Sequence, residues 1–139
     1  MELADIESVR SLGLGKKEFS TENASFWEEE QLAKWCQSPD DILLVAESEE
    51  KVIGFSLYAG HRPTSKVTWE NLYVMPEARG AGVASKLIEE GLRQVKVLGY
   101  GYIMLCINAE DQGSMLSLVE KFGFKKWTTV IWADKLIKD

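Results

Sequence analysis

Residues 70–85, Glu-Asn-Leu-Tyr-Val-Met-Pro-Glu-Ala-Arg-Gly-Ala-Gly-Val-Ala-Ser, connect the end of one predicted strand to the start of a predicted helix. Gly80 and Gly82 allow positive φ there and remove Cβ atoms that would block close approach to the main chain. The first N–H groups of a helix have no intrahelical partner and carry the positive end of its dipole. Since Arg79 and Lys86 add positive charge, the stretch is typical of a cradle for a phosphate or pyrophosphate. A turn of this kind also occurs without any ligand, and the stretch by itself leaves that alternative open.

The third predicted strand, which leads into this turn, changes its apolar phase part-way. Val67 and Trp69 share one face under strict alternation, whereas Leu72 and Val74 share the other. Either both faces of the strand are buried, or a bulge around Glu70–Asn71 adds one residue and re-aims the strand. The pattern favours neither alternative.

Apolar spacing predicts the elements on both sides of this strand. In chain order they are helices over residues 3–12 and 26–36, strands Ile42–Glu47, Val52–Tyr58 and Val67–Val74, a helix over residues 83–95, a strand Tyr102–Ile107, a helix over residues 115–122 and strand-like residues Phe124–Ala133. The short polar connection after the first strand indicates an antiparallel hairpin. The helix after the glycine turn serves as a right-handed crossover, so the strand that follows it lies parallel to the third. We expect one mixed-sheet α/β domain over residues 1–139.

Composition and charge exclude several classes of protein. Sixteen basic against twenty-two acidic side chains give a net charge of −6, which argues against general binding to nucleic acid or to anionic membranes. Two cysteines cannot form a disulfide framework, and no Cys/His cluster has the spacing of zinc ligands, so no metal site is predicted. The acidic N-terminus is wrong for a targeting peptide, and no apolar run approaches the roughly 20 residues that cross a bilayer. These features predict a cytoplasmic protein.

Two common phosphate-binding motifs do not fit the glycine turn. A Walker loop needs Gly-Lys-Ser/Thr after four intervening residues, and neither glycine-containing region supplies it. A dinucleotide fingerprint needs glycine at the position of Ser85, and it opens its domain rather than following an antiparallel hairpin.

Residues 70–84 resemble the acetyl-CoA signature of the GNAT N-acetyltransferases, a strand of the type Leu-x-Val-x-Pro followed by Arg/Gln-x-x-Gly-x-Gly/Ala. Arg79, Gly82 and Ala84 occupy its three defining positions. The second family signature is an asparagine at a strand end followed by a helix that closes in Gly-Phe. The stretch from Asn108 to the Gly-Phe pair after the last predicted helix approximates it.

The resemblance implies a GNAT-type α/β fold: a mixed, mostly antiparallel sheet with a central splayed parallel strand pair and helices on both faces. It also implies acetyl-CoA as the cofactor and CoA as the product. In this family the pantetheine arm pairs with free main-chain groups of the splayed strand, and the pyrophosphate rests on N–H groups of the glycine turn. The residues that match these roles are Leu72, Tyr73, Val74, Arg79, Gly80, Ala81, Gly82, Val83, Ala84, Ser85 and Asn108.

The resemblance further implies acetyl transfer to an amine, which must first lose a proton because an alkylammonium has a pKa of about 10.4. Glu70 is the candidate base, because residues 70–77 are locally most similar to the diamine (spermidine/spermine) acetyltransferases, which have a glutamate there. A solvated carboxylate, or one that only attracts a cation, is the other interpretation of Glu70. Tyr73, or a serine of the last helix, is a candidate to protonate the departing thiolate, because the position where many members carry a tyrosine acid is Val119.

The expected acceptor is a primary amine that attacks directly in a ternary complex. A small amine or polyamine is favoured, and a peptide N-terminus or lysine comes next. Since Val119 replaces the usual acid, a non-catalytic or weakly catalytic CoA-binding module is the alternative, and a nucleotide-binding domain unrelated to CoA is a third. The chain after Gly123 is short for two full strands, and either a homodimer or a fused last strand would compensate. No nucleic-acid or membrane partner is predicted.

Overall fold

The fold is built around a four-stranded sheet whose strands lie in the order β1-β2-β3-β4. In the computed structural model, the described residues are 1–16, 19, 26–107, 114–129 and 131–137. The strands are β1 (Ile42–Ser48), β2 (Lys51–His61), β3 (Lys66–Val74) and β4 (Tyr102–Leu105). The helices are α1 (Ile6–Gly13), α2 (Glu29–Cys36), α3 (Val83–Val97) and α4 (Ser114–Glu120). The first three strands are antiparallel and β3 and β4 are parallel, which confirms the predicted mixed sheet and places the parallel pair at one edge of its described part.

A two-residue turn sets the register of β1 and β2. Ser48 pairs with Lys51, and between them Glu49 and Glu50 have φ values of 51° and 63°. Two left-handed residues in succession are typical of a type I′ turn, whose twist matches that of the flanking strands. The hairpin predicted from this polar connection is confirmed.

Apolar side chains cover both faces of the sheet. On one face, α1 and α2 pack over a cluster that includes Val9, Leu32 and Phe55. On the other face, α3 and α4 pack over a cluster that includes Tyr58 and Ile88. The predicted helices on both faces are therefore confirmed.

The second helix begins later than predicted. A capping box between Glu28 and Gln31 satisfies N–H groups at its start, so α2 begins at Glu29. Phe26 and Trp27, which were predicted to lie within the helix, precede it and pack beneath it as core residues.

The strand predicted over Phe124–Ala133 is wrong for the described residues of that stretch. Residues 124–129 and 131–133 form no strand, and Trp127 and Trp132 are 78% and 69% exposed. Aromatic and β-branched residues form a strand only where a neighbouring strand pairs and packs with them. The described sheet therefore ends at β4, and the large apolar residues described after Phe124 are exposed to solvent.

The longest helix of the described residues is α3, with 15 residues. Its buried positions, Leu87, Ile88, Gly91 and Val95, recur at helical spacing and face the sheet. No helix in the described part of the chain has the length and apolarity that crossing a bilayer requires.

Packing between α3 and β2 leaves no room for a side chain at Gly91. A Cβ atom built there would fall far inside van der Waals contact of the Tyr58 hydroxyl, and the Tyr58 ring is held in a stack on Trp69 with centroids 5.3 Å apart. We expect Gly91→Ala to lower the free energy of unfolding by about 1–3 kcal/mol, although alanine itself favours a helix by up to about 1 kcal/mol. Urea denaturation measures this. Gly101→Ala, where the new Cβ meets only ordinary contacts, is the control. Equal midpoints for the two variants would contradict this packing.

Candidate active site

A bulge in β3 lies at the centre of the candidate site. Tyr58 of β2 pairs with Trp69, and the next residue back, Leu57, pairs with Asn71, so Glu70 has no partner on β2. Of the two interpretations of the apolar phase change, the bulge around Glu70–Asn71 is confirmed. The extra residue turns Tyr73 toward the α1 and α2 face, whereas Trp69 packs on the α3 face.

Two indole groups fix this bulge from opposite faces of the sheet. The Trp69 Nε1–H donates to Ser56 Oγ at 2.8 Å and to the Asn71 carbonyl oxygen at 3.1 Å, and both Trp69 and Ser56 are buried. On the other face, Trp27 Nε1–H donates to Asn71 Oδ1 at 2.8 Å, and the Trp27 ring packs edge-on against Trp35. The polar groups that the bulge takes out of the strand ladder thus find buried partners.

β3 and β4 diverge at the bulge. Their parallel pairing ends at Trp69 and Leu105, whereas β3 continues to Val74. Met75 N–H donates to the Ile53 carbonyl oxygen of β2 at 2.9 Å. Because main-chain groups alternate sides along a strand, those of Leu72 and Val74 point away from β2, toward the gap that β4 leaves. The geometry is a cleft along which, among the described residues, no strand pairs with the outward main-chain groups of Leu72 and Val74, although the Val74 carbonyl oxygen accepts from Arg79.

The glycine turn continues this cleft into the start of α3. Gly80 and Gly82 have φ values of +83° and +80°, and a Cβ at either position would meet only open space. No side chain caps α3 and its first turn holds no acidic residue, so the N–H groups of residues 83–85 keep their capacity for an anion. A surface pocket of about 200 Å³ lies here and is lined by Val74, Ala78, Arg79, Gly80, Gly82, Val83, Ala84 and Ser85. The turn therefore has the room, the donors and the dipole that a diphosphate group needs.

Arg79 ties the glycine turn back to the strand. Its Nε–H donates to the Val74 carbonyl oxygen at 2.8 Å, and its guanidinium lies 5.5 Å from the centroid of the Tyr73 ring. Arg79 therefore adds positive charge beside the glycine turn, and its hydrogen bond also links the turn to the end of β3.

The predicted site residues fall into distinct groups in the structure. Most of the predicted cofactor residues line the pocket together: Val74, Arg79, Gly80, Gly82, Val83, Ala84 and Ser85. Leu72 lies two residues before Val74, on the cleft edge of β3. Tyr73 is only 5% exposed, its ring packs on Phe19 and Phe55, and its main chain by alternation faces β2. The predicted roles of Tyr73 in cofactor binding and in protonating the thiolate therefore stay predictions. The buried position of its ring does not favour them. Asn108 lies outside the described residues.

Glu70 lies in the bulge, next to the point where the pairing of β3 with β4 ends. Its surface is open to solvent, yet enough protein surrounds the carboxylate that desolvation raises its pKa above the ordinary value of 4.5, an effect that the charge of His61 opposes. A raised pKa makes a carboxylate a better proton acceptor.

Val119 stands at the position where many members of the family carry a tyrosine acid, and it is fully buried on α4. Among the described residues, no group of three acidic, histidine or cysteine side chains is placed to hold a metal ion.

Comparison with known proteins places this geometry in a family. Residues 7–124 match the model of the acetyltransferase (GNAT) family. The chain belongs to the GNAT family. GNAT enzymes use acetyl-CoA, in agreement with the cofactor expected from the sequence.

Relatives of known name differ in what they act on. The chain is 28% identical over 105 residues to a mycothiol acetyltransferase of Paenarthrobacter aurescens, covering 73% of this chain and 32% of that protein. It is 35% identical over 89 residues to a putative phosphinothricin acetyltransferase of Bacillus subtilis, covering 61% of this chain and 54% of that protein. The chain thus spans about a third and about half of the length of these relatives.

Solved structures share the GNAT fold over nearly the whole chain. A ribosomal-protein-alanine N-acetyltransferase from Brucella melitensis superposes with a TM-score of 0.80 at 20% identity, covering 99% of this chain and 89% of that one. The aminoglycoside N-acetyltransferase AAC(6')-Iy, solved with CoA, superposes with a TM-score of 0.70 at 22% identity, covering 97% and 96%. At this level of identity, the likeness shows the fold.

The indole hydrogen bonds at the bulge were missed by sequence reasoning. Trp27 and Asn71 are 44 residues apart and Trp69 and Ser56 are 13 apart, so no local pattern connects them. The change of apolar phase in β3 is the one sequence feature that pointed to them. A bulge at that point would need hydrogen-bond partners for the main-chain groups that it removes from the strand pairing.

Trp69→Phe tests the role of the buried indole. The substitution keeps an aromatic ring beside Tyr58 but removes the donor to Ser56 and to the Asn71 carbonyl. We expect the free energy of unfolding to fall by about 1–3 kcal/mol, since buried acceptors lose their partner, and amide hydrogen exchange of residues 70–74 to accelerate. Trp127→Phe, which changes an indole that is 78% exposed, is the control. If both variants showed the same exchange rates at residues 70–74, the indole would not be what fixes the bulge.

Proposed function

We propose that this protein is an acetyl-CoA-dependent N-acetyltransferase that acetylates a primary amine by direct attack within a ternary complex. The observation that supports it most is the continuity of two features: the β3 edge that no described strand pairs with beyond Trp69, and the start of α3, which has no side-chain cap. The β3 edge can hold the amide-bearing arm of CoA, and the start of α3 can hold its diphosphate. The two surfaces meet at Val74. The cytoplasmic location expected from the sequence belongs to this proposal as well.

The cofactor residues act through their main chain. When bound, acetyl-CoA supplies an activated acetyl thioester. The N–H groups of the glycine turn and of the first turn of α3, residues 80–85, hold the diphosphate. The main-chain groups of Leu72 and the N–H of Val74, whose carbonyl oxygen accepts from Arg79, would pair with the pantetheine arm as an added strand does. An N–H on this edge of β3 would also donate to the thioester carbonyl oxygen and stabilise negative charge on it.

Glu70 removes the proton from the attacking amine. A free alkylammonium with a pKa of about 10.4 is not a nucleophile, so a proton acceptor at the cleft is required, directly or through one water molecule. The bulge projects Glu70 at the point where β3 and β4 separate, and its raised pKa suits the role. The protein would need to supply little acid assistance to the thiol leaving group, because a thiol has a pKa of only about 8.5.

The favoured acceptor is a small cationic amine or a polyamine, with a peptide N-terminus or a lysine side chain next. The net charge of −6 attracts cationic substrates. Known relatives are named for mycothiol, phosphinothricin, ribosomal-protein alanine and aminoglycosides, so family membership leaves the acceptor open. The local similarity to diamine acetyltransferases stays a prediction.

A second candidate function is a CoA-binding module with little or no catalysis. It is favoured by Val119, which is buried in the core at the position of the usual acid. Release of free thiol from acetyl-CoA across a panel of amines separates the two, because a module binds CoA and releases no thiol above the amine-free rate.

Binding of the coenzyme is tested by thermal shift with acetyl-CoA, CoA and ATP. A ligand at about 100 times its Kd stabilises the folded state by about 2.7 kcal/mol, so we expect both coenzyme forms to raise the Tm and ATP to raise it less. Gly82→Ala should remove most of the coenzyme shift, because a methyl group then sits where the diphosphate approaches. Gly99→Ala is a matched control, since Gly99 has φ of +83°, open space around its Cβ and a position at the other end of α3. Equal coenzyme shifts in the two variants would contradict the assignment of the turn.

Glu70→Gln tests the base. We expect kcat/KM to fall by about 10²–10⁴ with coenzyme binding unchanged. In the unmodified protein, kcat/KM should fall on the acid side with an apparent pKa above 4.5, and Glu70→Gln should remove that limb. Because the raised pKa means that the fold disfavours the ionised form, the variant should unfold at an equal or slightly higher temperature at pH 7. Undiminished turnover would remove Glu70 from this role and leave the coenzyme site standing.

A further inference from the structure

Asn71, the residue next to Glu70 in the bulge, carries one of the few buried polar side chains of the described residues. It is 8% exposed, and its Oδ1 accepts a hydrogen bond from the Trp27 indole N–H at 2.8 Å. An indole N–H only donates, so the atom that faces Trp27 is the carboxamide oxygen, and the Nδ2 group lies on the other side of the carboxamide. Asn71 therefore presents a donor to the remaining space beside the bulge.

The Nδ2 group of Asn71 has no partner within the described part of the chain. The hydrogen bond from Trp27 is the only one that the described residues make with the Asn71 side chain. Among these residues, the side-chain atoms that are both unpartnered and sealed from solvent are Arg10 Nε and the Tyr58 hydroxyl, so Asn71 Nδ2 can be reached from outside. A nearly buried amide that keeps its N–H groups free beside the candidate base is suited to donate to a bound molecule.

Trp27 holds the Asn71 carboxamide in this orientation. The Trp27 ring packs edge-on against Trp35, with ring centroids 5.3 Å apart. The next residue, Glu28, forms the capping box at the start of α2 and an ion pair of 2.8 Å with Arg10 of α1. Turning the carboxamide over would place Nδ2 against the indole N–H, so that two donors would face each other. The oxygen is therefore not offered to the cleft without the loss of this hydrogen bond.

The face of the sheet that carries the Asn71 side chain is open beside β4. Ile103 and Leu105 pack on the α3 and α4 face. Because side chains alternate along a strand, Tyr102 lies on the α1 and α2 face, where it is 60% exposed. Trp27 packs on the cluster of that same face, and its hydrogen bond places the Asn71 carboxamide there. A molecule that approaches the separation of β3 and β4 from this face thus passes Asn71.

We infer that Asn71 Nδ2 donates a hydrogen bond to an oxygen atom of the acceptor and thereby selects which amines are acetylated. Consecutive Cα atoms lie about 3.8 Å apart, so an amine nitrogen at Glu70 and an oxygen at Asn71 are only a few bonds apart. The class that fits is an amine with a carbonyl or hydroxyl oxygen near its nitrogen, as in a peptide N-terminus or an amino alcohol. An alkyl diamine fits less well, because its second ammonium group also donates. This inference rests on the proposed function and narrows its range of acceptors.

Steady-state kinetics with four small amines tests the inference. Glycinamide carries a carbonyl oxygen, ethanolamine a hydroxyl, propylamine no oxygen, and diaminobutane a second ammonium group. The measured quantity is kcat/KM for each amine relative to kcat/KM for propylamine, because changes in Glu70 or in coenzyme binding cancel in this ratio. We expect the unmodified protein to prefer at least one oxygen-bearing amine by about tenfold, and the ratios of glycinamide and ethanolamine show which oxygen it reads.

Asn71→Asp keeps the shape of the side chain and an oxygen for Trp27, but it replaces the free donor by an acceptor. We expect the preferred oxygen-bearing amine to lose about tenfold or more relative to propylamine, and diaminobutane to gain. Gln37→Glu makes the same chemical change at an exposed position that follows α2, and it should leave every ratio unchanged.

Trp27→Phe is a second variant, which keeps the test valid if circular dichroism shows that Asn71→Asp does not fold. It removes the hydrogen bond that orients the carboxamide and leaves Nδ2 in place. We expect it to reduce the preference for the oxygen-bearing amine, by less than Asn71→Asp does, without a gain for diaminobutane.

Three results would overturn the inference. One is an unmodified protein that acetylates propylamine or diaminobutane as well as both oxygen-bearing amines. Another is a set of ratios that Asn71→Asp and Trp27→Phe change no more than Gln37→Glu does; both of these results leave the proposed function standing. The third is no release of free thiol above the amine-free rate with any of the four amines, which counts against the proposed function and removes this inference with it.

Discussion

The structure of the site depends on one buried indole N–H, that of Trp69, which is shared between Ser56 Oγ and the Asn71 carbonyl oxygen. A bulge breaks the hydrogen-bond ladder, and it persists only if the freed groups find other partners. Beyond this point every side chain of β3 is shifted by one position, which sends the Tyr73 ring into the core under α1 and α2. The bulge also projects Glu70 at the point where β4 separates from β3.

An acidic protein can hold a diphosphate because the donors belong to the main chain. The N–H groups at the start of α3 and the helix dipole do not depend on the net charge of −6. Gly80 and Gly82 keep this region clear of side chains, and Arg79 fixes its distance from the strand end through Val74.

The sequence predicted what local patterns determine. The β1–β2 turn, the glycine turn and α3 were predicted correctly, because turn residues, positive φ and helical spacing are properties of neighbouring residues. The bulge stayed one of two alternatives, since only the pairing of Leu57 with Asn71 and Tyr58 with Trp69 distinguishes it from a strand buried on both faces. The strand over Phe124–Ala133 was wrong because strand propensity does not supply a pairing partner. The buried position of the Tyr73 ring likewise follows from the register and not from the motif.

We propose that one continuous main-chain surface, from Leu72 through the start of α3, binds the coenzyme. Amide chemical shifts recorded by NMR during a titration with CoA test it most directly. We expect large changes at Leu72, at Val74 and over residues 80–85, with much smaller changes at Tyr73, whose main chain faces β2. Changes confined to other parts of the chain, or equal changes at Tyr73 and its two neighbours, would contradict the account.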